Sequence, residues 1–129
     1  MSRALLDTSV LIAREQQRPL ARGLPDEVAI SVVSIAELEI GVLLARDAQA
    51  RGQRMRTLTE VRSLAGALPI DERTASAYAQ LAAETLLEGR KPRIHDTWIA
   101  ATAVVHDAEV WTQDSDFSNF AHAVSVVHV

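Results

Sequence analysis

An α/β fold, with a central parallel β-sheet flanked by α-helices on both faces, is predicted by three features of this sequence. Short apolar runs rich in Val, Ile and Leu alternate with longer amphipathic stretches along the chain. The runs are apolar with little polar alternation, as in strands covered on both faces. Strands that alternate with helices form parallel sheets, because each crossover needs a helix. No repeat, low-complexity tract or linker divides the sequence, so residues 1–129 are expected to form one domain.

Residues 3–7 read as a buried first strand that delivers Asp7 at its carboxyl end. Thr8 or Ser9 is placed to cap a helix over 10–17, which stops before Pro19. Gly23 and Pro25 mark a loop, and the β-branched run 28–33 is a second strand. Ser34 then opens a helix with Ile35, Leu38, Val42 and Ala45 on one face, and Ser34 and Glu37 have capping-box spacing. Residues 46–66 continue as an arginine-bearing helix whose apolar side is Leu58, Val61, Leu64 and Ala65. Residues 68–70 form a short strand, and Asp71 caps a helix over 74–87 that Gly89 terminates. After a basic loop at 90–93, Asp96 stands where a helix begins, with Trp98, Ile99, Ala101, Thr102 and Val105 along it. That helix turns near His106 and Asp107 into a strand over 109–112. A turn of helix over 117–120 and a last strand over 124–129 complete the chain.

Composition narrows the function. With 48% hydrophobic but only 4% aromatic residues, the core is built from Ala, Val, Leu and Ile. The absence of cysteine excludes disulfides, zinc–thiolate sites and thiol nucleophiles. No stretch has the length of a membrane-spanning helix, and residues 1–7 are too short and end too acidic for a signal peptide. A soluble, cytoplasmic protein is expected. The formal net charge of −4 gives no general attraction to nucleic acid, so any such contact needs a local basic patch or a bound cation.

The acidic residues carry the chemistry. Asp7 follows the first strand, Glu37 the second, Asp96 opens a helix, and Asp114 and Asp116 follow the fourth strand. Each has a bland account: a capping box for Glu37, the helix dipole for Asp96, loop turns for Asp114 and Asp116. Together they fall at one predicted sheet edge, where open α/β folds place their ligands. Crowded carboxylates repel one another, and a hard divalent cation removes that penalty, Mg²⁺ fitting best with Mn²⁺ possible. Thr8, Ser9 and Thr112 either cap the elements they adjoin or hydrogen-bond these carboxylates.

LLDTSVLI near the amino end, SIAELEIGV, HDTWIAATA and TQDSDF, in that order, resemble the PIN-domain ribonucleases, and among them the VapC toxins of type II toxin–antitoxin modules. The resemblance covers nearly the whole chain and is loosest over 46–69. It implies a PIN-like domain with Asp7, Glu37, Asp96 and Asp114 as the catalytic acids and Asp116 as a more variable acidic position. It further implies cleavage of RNA, tRNA or rRNA, to a 5′-phosphate and a 3′-hydroxyl, a cognate VapB-type antitoxin and a homodimer.

Arg90, Lys91 and Arg93 precede Asp96 and are candidate phosphate contacts, with a solvated basic loop as the alternative. Arg46, Arg51, Arg54, Arg56 and Arg62 suit a solvated face or an interaction surface better. Both Trp98 and Trp111 are expected in the core, and His95 is a candidate substrate or capping residue. For the antitoxin, a groove over 34–66 is expected, with Val42, Leu43, Met55 and Leu58 exposed to a partner helix, and a partner arginine reaching the acidic pocket. Competing classes fare worse. A receiver domain needs a lysine after a late strand, and the single lysine, Lys91, precedes a helix. A haloacid-type phosphohydrolase needs two aspartates spaced by one residue, but Thr8 and Ser9 follow Asp7. No phosphate-cradling glycine loop is present. A catalytically inactive PIN-like binding module is the non-enzymatic alternative.

Overall fold

The computed structural model describes residues 3–64 and 66–129. The elements are β1 (Ala4–Leu6), α1 (Thr8–Glu15), β2 (Val28–Ser31), α2 (Val32–Leu43), α3 (Ala48–Leu64), β3 (Ala67–Leu68), α4 (Glu72–Leu87), α5 (Ile94–Val105), β4 (Glu109–Thr112), a 3-10 helix (Ser115–Phe120) and β5 (Val126–His128). The sheet is parallel throughout, in the order β3-β2-β1-β4-β5. The chain moves outward from β1 through β2 to β3, then returns to lay β4 on the other side of β1. This reversal makes the gap beyond the carboxyl ends of β1 and β4 the natural ligand crevice.

Two apolar layers sandwich the sheet. Successive strand residues point to opposite faces. Leu5 packs with Leu81 of α4, Ile99 and Ala103 of α5, and Phe117. Ala4 and Leu6 pack on the other side with Val10 and Leu11 of α1, Leu38 and Val42 of α2, and Leu58 and Val61 of α3. Burial on both faces explains why β1 is wholly apolar. At the end of α4, Gly89 takes φ +76° while the amide of Arg90 bonds back to the Thr85 carbonyl, a left-handed helix stop that favours glycine.

Several boundaries differ from those the sequence predicts, and each difference has a cause. The first helix begins at Thr8, with Asp7 itself at the cap position. The second strand ends at Ser31, whose hydroxyl accepts the Val33 amide at 3.0 Å and starts α2 there. Val32 and Val33, predicted as strand, are therefore helical: a local cap overrides β-branched propensity. Ser34 lies inside the helix and is no cap, so the capping-box account of Glu37 fails. Asp47 accepts the Ala50 amide at 2.8 Å and starts α3 separately from α2. Ala65, assigned to its apolar side, lies outside the described residues. Val42 and Leu58, expected on an exposed groove, are buried at 5% and 2%, whereas Leu43 and Met55 are exposed. Trp111 is buried in β4, and Trp98 is half-buried, stacked on Tyr78 at 4.0 Å between ring centroids. No helix among the described residues is long and apolar enough to cross a membrane.

Candidate active site

Asp7 leaves the end of β1 and is almost fully buried. A buried carboxylate needs donors, and two hydroxyls supply them: Ser9 Oγ at 2.7 Å and Thr112 Oγ1 at 2.9 Å both donate to its Oδ2. Thr112 closes β4, the strand beside β1 in the sheet. Its oxygen also accepts the Asp114 amide at 2.9 Å, and Ser9 accepts the Gln113 amide at 3.0 Å. The turn carrying Asp114 is thereby tied to Asp7, and Asp114 Oδ1 in turn accepts the Asp116 amide at 2.9 Å.

Glu37 approaches from α2. Thr8 Oγ1 donates to its Oε1 at 2.9 Å and lies 3.0 Å from the buried Ser34 hydroxyl. The other carboxylate oxygen lies 3.8 Å from His95 Nδ1. Asp96 enters from the first turn of α5, whose amino end points at the same edge. Burial, followed by repulsion from Asp7, Asp114 and Glu37, lifts its pKa to about 6, against the opposing pull of Arg93. The four acids thus approach one another from separate elements of the chain.

Arg93, at the cap position of α5, spans this cluster. Its Nε lies 2.8 Å from Asp96 Oδ2 and its Nη2 lies 3.3 Å from Asp114 Oδ2, while Nη1 meets Asp116. Sequence reasoning placed Arg93 among phosphate contacts and missed this pairing, although the i,i+3 spacing to Asp96 was visible. Arg90 pairs with Glu88 at 2.5 Å, and Lys91 is exposed. Glu37, Pro92, Arg93, Ile94, His95 and Asp96 line an open cleft of about 470 Å³ above the acids.

Among the described residues, no three acidic or histidine side chains stand as a ready-made metal cage. The donor set nonetheless fits a hard cation: it is all carboxylate oxygen, a guanidinium already rests on it, and buried Asp96 Oδ2 has no aligned hydrogen bond.

Residues 4–123 match the PIN domain family. Ribonuclease VapC5 of Mycobacterium tuberculosis is 45% identical over 95% of this chain and 90% of its own. The solved VapBC-5 structure from the same organism superposes with a TM-score of 0.85 at 40% identity, covering 100% of this chain and 98% of that one. FitAcB of Neisseria gonorrhoeae gives 0.76 at 29% identity, covering 96% of both chains. With the match spanning every element from β1 to the 3-10 helix and nine-tenths of VapC5 covered, the chain belongs to the PIN domain family, alongside its VapC members.

Proposed function

We propose that this protein is the toxin of a type II toxin–antitoxin module, a Mg²⁺-dependent endoribonuclease that cuts tRNA or rRNA in the cytoplasm. The observation that carries the proposal is the linkage at the β1–β4 switch of Asp7 to the Asp114 turn through Thr112, and of Asp114 to Asp96 through Arg93, with Glu37 beside them in the cleft. The relatives named as ribonucleases support it.

Asp7, Asp96 and Asp114, with Asp116 at the rim, would hold the cation. Bound there, Mg²⁺ or Mn²⁺ would offset phosphate charge and acidify a water. The protein's own groups prepare that site. Ser9 and Thr112 both donate to Asp7 Oδ2 and so fix the carboxylate. Thr8 holds Glu37 through Oε1, and Oε2, 3.8 Å from His95 Nδ1, would serve as a base or as a further cation ligand. Arg93, which lines the cleft, would grip a flanking phosphate when it leaves the carboxylates, and Arg90 and Lys91, in the loop just before it, would add phosphate contacts.

A VapB-type antitoxin completes the module. Ile12, Leu38 and Gly41 line a groove beside α1 and α2 that includes Glu37, and Ile40, Leu43, Leu44 and Met55, at or near the same helices and α3, are exposed. A partner's amphipathic helix would cover them, and an arginine of that partner would enter the acidic cluster, which already accepts one guanidinium. A homodimer is part of the proposal.

Mapping RNA ends after brief induced expression tests it, with Asp96→Asn as comparison. New 5′-phosphate ends should arise with the parent chain alone. Identical end profiles would leave the inactive-module alternative standing.

A further inference from the structure

We infer that Arg93 is an internal competitor for the cation: in the metal-free chain its guanidinium occupies the carboxylates, and divalent metal enters only as Arg93 swings out. The inference rests on the metal site proposed above and adds a gate to it.

The position of Arg93 is electrostatically unusual. It stands at the amino end of α5, where the helix dipole disfavours a cation. Its residence there is explained by the three carboxylates it touches, Asp96, Asp114 and Asp116. Two of the oxygens it occupies, Asp96 Oδ2 and Asp114 Oδ2, belong to the residues that would ligate metal. A guanidinium and a divalent ion cannot share those oxygens without strong repulsion at contact distance.

The backbone around Arg93 is fixed while its side chain is free to move. Its carbonyl accepts the Thr97 amide at 2.8 Å and the Thr97 hydroxyl at 2.5 Å. Its side chain is half-exposed, open to the cleft in front of Asp96. Rotation about side-chain bonds alone moves the guanidinium from carboxylates to solvent, with no change in α5. The fork of the guanidinium matters, because only a planar group with several donors reaches three carboxylates at once.

Mn²⁺ titration of the chelator-stripped chain, read by the electron paramagnetic resonance of free Mn²⁺, tests this without any RNA. Arg93→Gln should bind Mn²⁺ about tenfold more tightly than the parent, a typical size for coupling between two ligands of one site. It should also melt lower than the parent in chelator and gain more on adding Mn²⁺. Arg93→Lys keeps the charge, and with it the charge balance of the fold, but lacks the fork, so its affinity should fall between the two. Lys91→Gln removes one charge from the same loop and should shift affinity less than twofold. An unchanged or weaker affinity in Arg93→Gln overturns the inference, as does an equal gain in Lys91→Gln, which would reduce the effect to general charge. Failure of both parent and Arg93→Gln to bind Mn²⁺ sinks the metal site itself and the gate with it.

Discussion

Thr112 Oγ1 donates to Asp7 Oδ2 at 2.9 Å, across 105 residues of sequence. One hydroxyl thus joins the ends of β1 and β4 at the point where the strand order reverses, and its lone pair receives the amide that positions Asp114. Both groups are buried, so the link is made away from solvent competition.

Thr112→Val keeps the shape and removes both bonds. It should destabilise the fold by about 1–3 kcal/mol, since a buried carboxylate loses a donor and an amide loses its acceptor. Metal affinity should fall roughly 10–100-fold, the usual loss when an orienting group goes. Calorimetric metal titration beside thermal melting checks both, and Thr112→Ser should recover most of each.

Asp96 sets a pH signature. Its pKa is about 6 in the folded chain against 3.8 for an unperturbed aspartate. Above pH 6 the group is ionised in both states, and the full burial penalty weakens the fold. As pH falls toward 4 the folded state takes up its proton first, so stability rises; below 4 both states are protonated and the penalty is gone. Asp96→Asn should therefore be more stable than the parent at pH 7–8 by about 1–2 kcal/mol, after discounting for solvent and salt screening. That advantage should vanish near pH 4. Urea unfolding in chelator across this window measures it, and a destabilised Asp96→Asn at pH 7 would mark the residue as structural.

Glu37 no longer has a cap to serve, because Ser31 starts α2 and Ser34 lies within it. Glu37→Gln retains an oxygen for the Thr8 hydroxyl and removes only charge. Stability should stay within about 1 kcal/mol, the net worth of one such hydrogen bond, while RNA cleavage falls by roughly 10²-fold or more. Unchanged cleavage at unchanged metal affinity would remove Glu37 from the site.

The partner surface separates by burial. Leu43→Glu and Met55→Glu alter exposed residues and should leave folding and cleavage intact while weakening antitoxin binding. Leu58→Ala acts in the core and should cost about 2–5 kcal/mol of stability whether or not a partner is present. Co-purification with a tagged antitoxin, beside melting curves of the free chain, distinguishes the two classes. Full binding by both exposed variants would place the groove elsewhere.

The sequence alone determined the parallel α/β arrangement, because wholly apolar runs between amphipathic stretches have no other way to bury both faces. It determined the fourth strand at 109–112 and the Asp71 cap of α4 for local reasons: a turn before a β-branched run, and a short carboxylate ahead of an exposed amide. It also named Asp7, Glu37, Asp96 and Asp114, which the fold carries to one edge. Tertiary structure decided what these residues touch. The sequence placed the cap at Ser34, whereas the strand leaves the sheet at Ser31, which caps α2 and frees Ser34 to meet Thr8. Val42 and Leu43 look alike in sequence, and helix phase against the sheet buries one and exposes the other. Arg93 read as a phosphate contact because its charge is local information, whereas the three carboxylates it meets come together only when α5 and the β4 turn close on the same edge.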